Sequence, residues 1–313
     1  MTAEGGDGSD GTGIEVPAAL VGQRVDRAVS LLTGCTRSDA TRLIESGAVL
    51  VDDRPVRRGA DRLDERSRLR IDTASLATGP GLEPDPDVEL AIVFEDADVI
   101  VVDKPADLVV HPGAGAPIPT LVAGLLAHDP AIADIGDPER PGIVHRLDKG
   151  TSGLLVVARS ARAYEDLVAQ LADRTVGREY LAVVEGHLGN DRGVVEAPIG
   201  RSRRRPTMQA VTADGRPART HYTVERRTED PIAASVLQCR LDTGRTHQIR
   251  VHLSAIGHPV VGDDRYGAEH DGLIARPALH ARRLSFEHPA TGETMSFESP
   301  VPADLSALLE RLR

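Results

Sequence analysis

The chain contains no tryptophan, and four tyrosines with three phenylalanines leave aromatics at 2% of 313 residues. A core must then be built from Leu, Val, Ile and Ala, which a hydrophobic content of 40% supplies. Cysteine is almost missing too. Cys35 and Cys239 fit no zinc spacing and no disulfide framework, and they read as buried, reduced thiols. No apolar run approaches the ~20 residues of a membrane span. Met1 to Gly13 is rich in Gly, Asp and Ser and holds no hydrophobic segment. It is no signal peptide and reads as a disordered acidic tail. Together these absences point to a cytoplasmic protein of one large or two ordinary domains, with no membrane contact.

Lysine is the third scarcity. Of 37 basic residues only Lys104 and Lys149 are lysines. Either the chain is biased toward arginine and two lysines survive by accident, or these sites need a compact ammonium. The net charge of −11 and a pI near 5.5 argue, taken alone, against nucleic acid as a partner. The distribution argues otherwise. Leu20 to Asp72 carries eleven Arg against nine Asp and Glu, and no acid falls between Arg201 and Ala213.

Ile14 to Asp72 reads as a small separate domain. Val25, Ala28, Val29 and Leu32 recur at helical spacing. Thr36 or Ser38 can cap a second helix that Gly47 stops. Val49 to Val51, a turn at Asp52-Asp53-Arg54-Pro55 and Leu69 to Ile71 follow as strand, turn and strand. Arg37, Arg42, Arg54, Arg57 and Arg58 could line one face and neutralise phosphates, or form a salt-bridged surface with the nearby acids. Residues 73–87, rich in Gly, Pro and Asp, read as a linker, and a second domain begins at Val88.

The second domain is organised around His145-Arg146-Leu147-Asp148-Lys149-Gly150-Thr151-Ser152-Gly153. The string holds one carboxylate, three candidate cations and turn-forming glycines. The apolar run Leu154 to Ala158 then predicts a buried strand, with Asp148 on a tight loop at its mouth. Upstream, the strand Val99 to Val102 runs into Lys104-Pro105, and His111-Pro112-Gly113 follows. Downstream, Arg178 to Gly186 reads as a strand carrying Tyr180. Arg201, Arg203, Arg204 and Arg205 make a basic loop denser than a solvated face requires.

Thr243-Gly244-Arg245-Thr246-His247-Gln248-Ile249-Arg250-Val251-His252 is the second dense motif. Thr246 can cap a helix that runs to about Ile256, with Ile249, Leu253 and Ile256 on one face. Arg250 lies beside that buried face and needs a carboxylate partner, for which Asp148 is the candidate.

These strings, in this order, closely resemble the signature of the RluA/RluD family of RNA pseudouridine synthases, over nearly all of residues 88–300. The N-terminal segment resembles, more loosely, the alpha-L RNA-binding domain of the ribosomal-protein S-four type. The resemblance implies an α+β protein: a mixed, mostly antiparallel sheet with flanking helices, preceded by the small RNA-binding domain. It also implies roles for Asp148 as catalytic residue, Tyr180 and Arg250 in the active site, and Arg146 as the planar filler of the stack that a flipped base vacates. Lys104 would lie beside the site and contact the substrate, and Asp107 stands where the family usually has Gly. His145, Lys149 and Arg245 would supply substrate contacts. Arg37, Arg42 and the loop Arg201 to Arg205 would hold the RNA backbone.

The implied reaction breaks N1–C1′, turns the uracil and joins C5 to C1′. Nothing is oxidised, so no metal or cofactor is expected. A carboxylate suits the glycosidic step, as nucleophile or by removing a sugar proton, and must be ionised for either. Tyr180 would offer the uracil a flat face and a phenol near C5, whose proton must leave. The implied partner is RNA, large-subunit ribosomal RNA above all, acted on by a monomer. Transfer RNA, or a non-catalytic role in ribosome assembly, are the competing readings. A sugar glycosidase would want a second carboxylate, and none stands out.

Overall fold

The computed structural model describes residues 14–35, 37–73, 82–111, 119–267 and 273–313. The expected tail at 1–13, the cap at Thr36 or Ser38, the Arg37 side chain, part of the linker and Pro112-Gly113 lie outside the described residues and side chains. The chain divides into two compact units, residues 1–81 and 82–313.

In the first unit, strands β1 (Ile14–Glu15), β2 (Val49–Val51), β3 (Arg54–Pro55) and β4 (Arg68–Ile71) form a sheet of order β1-β4-β2-β3. Helices α1 (Val25–Thr33) and α2 (Arg37–Glu45) lie between β1 and β2 in the chain. Val25, Ala28 and Val29 on α1 and Leu43 and Ile44 on α2 are buried with Val49 and Leu69. Leu32, expected on the same face, remains 37% exposed. Asp52 and Asp53 both take positive φ, 51° and 61°, between Val51 and Arg54, which pair across the hairpin. That is the two-residue turn whose twist matches antiparallel strands.

The second unit begins at Leu82, ahead of Val88. Leu82 packs on the core, and the Asp85 N–H donates to the Ala123 carbonyl at 2.9 Å, so residues 82–87 belong to this unit. Its strands are β5 (Ile92–Glu95), β6 (Val99–Lys104), β7 (Ser152–Ala158), β8 (Gly177–Glu185), β9 (Arg192–Glu196), β10 (Ile199–Arg201), β11 (Gln209–Val211), β12 (Arg219–Thr228), β13 (Ala234–Leu241), β14 (Leu279–Glu287) and β15 (Thr294–Glu298). Among the described residues they build a nine-stranded sheet of order β5-β6-β7-β14-β8-β13-β12-β9, with β15 on β14, and a separate β10–β11 hairpin. Every pairing is antiparallel except β7 with β14. The helices are α3 (Leu121–His128), α4 (Ala161–Asp173), α5 (Gln248–Ala255) and α6 (Ala303–Arg311).

The apolar runs read as strands because both faces of the sheet are covered. On β7, Leu155 and Val157 enter one core with α3, α5 and α6, while Leu154, Val156 and Ala158 enter the other with Ala163 and Leu167 of α4. Strand β6 divides likewise, Ile100 and Val102 against Val99 and Val101. The fold is thus α+β, a mixed and mostly antiparallel sheet with flanking helices, joined in the chain to a small unit of two helices and a four-stranded sheet.

The parallel junction of β7 and β14 involves only His280↔Ser152 and Ala281↔Gly153. Gly153 has φ 110°, and a Cβ there would stand 2.3 Å from the Ala281 carbonyl oxygen. The strand that leads from the Asp148 loop is therefore seated by the absence of a side chain. Gly153→Ala should lower the unfolding free energy by about 3 kcal/mol or more, combining φ strain with overpacking. Gly292→Ala, at φ 71° in open space, should cost only the strain, about 1–2 kcal/mol. Urea unfolding of the two variants checks the contrast; equal losses would mean that crowding at Ala281 contributes nothing.

Candidate active site

The Asp148 loop is anchored before it is functional. The Thr151 N–H donates to the Asp148 carbonyl at 3.1 Å, and the Gly150 N–H to Ala106 at 2.6 Å. Arg276 donates to the Gly150 carbonyl at 3.0 Å from across the β14 side. The turn that receives Gly150 is held by Lys104. Its ammonium donates to the carbonyls of Pro105 at 2.6 Å and Leu108 at 2.8 Å, and the residue is 1% exposed. Burial pushes the Lys104 pKa down to about 8, against the pull of Asp107 and Asp148. Lys104 was expected to contact substrate; it is instead an internal clamp, because both hydrogen bonds of its ammonium go to its own loop. Asp107 lies in that turn without positive φ, so glycine is not required there.

His145 also departs from expectation. Its Nε2 accepts the Val156 N–H at 3.1 Å, which ties the loop to β7. Burial, with the charge of Arg178, drives its pKa down to about 3. It is a neutral structural acceptor and offers RNA no cation.

Arg250 enters from α5 and is 4% exposed. Its Nε and Nη2 form a bidentate pair with Asp263 at 2.6 and 2.7 Å, and Nη1 reaches the Asp148 carboxylate at 3.5 Å. The expected pairing with Asp148 is therefore the secondary one. A buried guanidinium has five N–H donors, more than one partly exposed carboxylate can satisfy. Asp263 is itself 0% exposed and also accepts the N–H groups of Arg265 and Tyr266. The Tyr266 ring lies under the guanidinium, 5.1 Å from Cζ to centroid.

Helix α5 does not start on Thr246. His247 precedes it at φ 57° with no side-chain cap, and Gln248 turns back so that its Oε1 accepts from the Arg245 N–H and the Thr243 hydroxyl. Ile256, expected on the buried face, is 40% exposed. The positive φ aims His247 inward. Its Nδ1 bonds the Tyr266 hydroxyl at 2.8 Å, and its Nε2 stands 4.0 Å from Asp148. The Tyr266 oxygen accepts the Gln209 N–H, linking this corner to the β10–β11 hairpin. Asp263, Tyr266 and His247 escaped the sequence reading as site residues, although all three lie inside or just after the second motif.

Tyr180 points from β8 into the same cleft and is 6% exposed. Burial, and then Asp148, push its phenol up to about 12. The cleft encloses about 590 Å³. Seven arginines line it (Arg140, Arg146, Arg174, Arg178, Arg216, Arg245 and Arg250) against two aspartates, Asp148 and Asp242. Arg146 is exposed at its edge with no ion pair among the described residues. Arg245 lines it too, with Nε donating to Pro217.

Other expected RNA contacts lie apart from the cleft lining. Lys149 is exposed and does not line the cleft, and Arg201, Arg203, Arg204 and Arg205 are exposed at the β10–β11 hairpin, where Arg203 pairs with Asp214. In the first unit Arg42 is exposed and paired with Asp39. Among the described residues no three His, Cys, Asp or Glu side chains gather as a metal ligand set.

Two carboxylates among seven arginines suit a cleft that receives a polyanion. Residues 98–255 match the RNA pseudouridylate synthase family, and residues 23–69 match the S4 domain. A ribosomal large subunit pseudouridine synthase D of Neisseria meningitidis is 45% identical over 314 residues, covering 96% of this chain and 82% of that protein. Its counterpart in Nitrosomonas europaea is 43% identical, covering 96% of this chain and 87% of its own. Among solved structures, human RNA pseudouridylate synthase domain containing 1 superposes with a TM-score of 0.58 at 30% identity, over 74% of this chain and 90% of that one. The chain belongs to the RNA pseudouridylate synthase family and is an isomerase acting on RNA.

Two expectations follow from the geometry. A double-mutant cycle on Arg250 and Asp263, read by unfolding free energy, should give a coupling of at least about 2 kcal/mol, and one on Arg250 and Asp148 less than about 1 kcal/mol. The reverse order would mean that Asp148 is the main partner after all. His145 supplies the second. Its folded pKa lies below the ~6.5 of an unfolded chain, so the unfolded state takes up the proton first. Stability from this residue is complete above pH ~6.5 and is lost as pH falls toward 3. Between pH 7 and 4.5 the wild type should lose about 2–3 kcal/mol more than His145→Gln, which keeps an acceptor for Val156 but does not titrate. Parallel denaturant curves at the two pH values settle the point.

Proposed function

We propose that this enzyme converts uridine to pseudouridine in large-subunit ribosomal RNA, in the cytoplasm and as a monomer, with Asp148 as its catalytic residue. The observation that carries the catalytic part is the approach of Asp148 to Arg250 at 3.5 Å at the arginine-lined cleft. The ribosomal target is supported by the printed names of relatives that align over 96% of the chain. No helix among the described residues is long and apolar enough to cross a membrane.

Asp148 acts on the sugar as the N1–C1′ bond breaks, and Arg250 balances its charge through Nη1, the one guanidinium nitrogen that Asp263 does not hold. Tyr180 supports the uracil while it turns. With its pKa near 12 the phenol stays protonated, and using it as a base at pH 7 would cost about 7 kcal/mol. Its part is therefore a flat face and an O–H donor, not the acceptor of the C5 proton. The uridine reaches the cleft only by leaving its stack. Arg146, exposed and unpaired at the edge, fills the gap. Arg245, Lys149 and the loop Arg201 to Arg205 hold the backbone, as do Arg37 and Arg42 of the S4 unit.

Asp148→Asn should abolish tritium release from RNA labelled at uridine C5 while changing RNA affinity by no more than about threefold, since phosphate contacts carry most of it. Substantial turnover by this variant would remove Asp148 from the chemistry. Pseudouridine mapping in cells with and without the gene should show loss confined to large-subunit ribosomal RNA. Loss confined to transfer RNA would move the target there.

A further inference from the structure

Arg178 is the strangest charge in the molecule. It lies on β8, 6% exposed, with its Nε buried and unpartnered and no carboxylate within ion-pair distance among the described residues. The acid whose field it feels, Asp242, is engaged by His221 at 2.8 Å, Arg240 at 3.4 Å and Arg219 at 3.9 Å. The remaining ionisable neighbours are Tyr180, which is neutral, His145, which Arg178 helps to keep neutral, and Arg245. Arg245 in turn is crowded by Arg216, Arg174 and Arg178. Among the described residues no carboxylate pairs with this buried cation, Asp242 acting on it only at a distance, and an isolated buried charge is costly.

Two further observations indicate that something else does. Four buried side-chain atoms lack a partner among the described residues, and three of them, on His111, Thr151 and Arg178, belong to residues lining this one cleft. Gly244, whose φ is unremarkable, leaves the head of Arg178 uncovered: a Cβ there would stand 2.8 Å from Nη1. The guanidinium thus sits in a cradle that even an alanine would fill.

We propose that Arg178, with Arg174, Arg216 and Arg245, forms a phosphate subsite that receives the backbone phosphate of the reacting nucleotide. The position fits. Arg178 and Tyr180 are alternate residues of one strand, so they face the same side roughly 6–7 Å apart. That is about the span from a base to its own phosphate. The forked guanidinium matches two phosphate oxygens, and the dianionic or diester oxygens replace the acceptors the protein withholds. The assignment of the phosphate to RNA rests on the function proposed above; the anion site itself does not.

The test uses the full chain. Inorganic phosphate, compared with chloride at equal ionic strength, should raise the melting temperature of the wild type by several degrees. Arg178→Met should melt higher than the wild type in chloride, because the uncompensated charge is gone, and should lose the phosphate response. Its KM for RNA should rise about tenfold, the worth of one hydrogen bond to a charged group, with kcat largely kept. Gly244→Ala, whose only clash is with the flexible end of Arg178, tests the site should Arg178→Met fail to fold; it should blunt the phosphate response at unchanged stability in chloride. A phosphate shift that persists in Arg178→Met, or in Gly244→Ala at wild-type strength, overturns the subsite. So does a wild type that forms pseudouridine without any phosphate response, and that result leaves the activity standing. A wild type that responds to phosphate but forms no pseudouridine overturns the activity and keeps the anion site.

Discussion

The bidentate pair between Arg250 and Asp263 is the fixed point from which the site is laid out. Both side chains are almost wholly removed from water, at 4% and 0% exposure, so neither can swing without leaving the other uncompensated. Because two of the three guanidinium nitrogens are held, the third has one place to point, and Asp148 is there. Asp263 also gathers the backbone N–H groups of Arg265 and Tyr266, which sets the Tyr266 ring under Arg250 and its hydroxyl against His247. The carboxylate proposed for catalysis needs a counter-charge that does not wander, and here the counter-charge is positioned by a second, fully buried carboxylate.

The overall charge of −11 and the basic cleft are compatible because the acids are used elsewhere. Asp98, Asp129, Asp263 and Asp304 each hold an arginine partner at 2.6–2.9 Å. Of the seven cleft arginines, Arg140 and Arg250 have carboxylate partners, and the other five have none within ion-pair distance among the described residues. Burial, and then the charges of Arg216, Arg174 and Arg178, hold the Arg245 pKa below the usual guanidinium value, a repulsion that an anion in the proposed subsite would relieve. A free enzyme strained in this way is tuned toward its complex.

Much of this was legible before any coordinates. The run Leu154 to Ala158 gave its buried strand away by length and composition, and the Asp148 loop by its glycines. The resemblance located Asp148, Tyr180 and Arg250 together, and the structure brings all three to one cleft. What failed did so for one physical reason: the direction of a side chain is set by partners that a linear reading cannot see. Lys104 and His145 looked like cations for RNA and are turned inward onto backbone groups. Thr246 had the chemistry of a cap, but the backbone at His247 is left-handed, no side chain caps α5, and Gln248 instead bonds the turn that precedes it. Asp263 lies thirteen residues from Arg250 with no periodic relation to it, and only the tertiary fold makes them neighbours. Arg178 drew no notice because the absence of a partner is invisible in a string of letters.

The short parallel junction of β7 and β14 has a consequence in time. Gly153 is seated on Ala281, Ser152 bonds His280, and Arg276 grips the Gly150 carbonyl, contacts that span 126 to 128 positions where hydrogen bonds join them. A chain emerging from synthesis holds Asp148, Tyr180 and Arg250 by residue 250, yet the strand that steadies the Asp148 loop is still unmade. Contacts of such long separation close late. The nascent chain therefore carries the three residues proposed for catalysis through about thirty residues of further elongation before the strand that steadies the Asp148 loop can form.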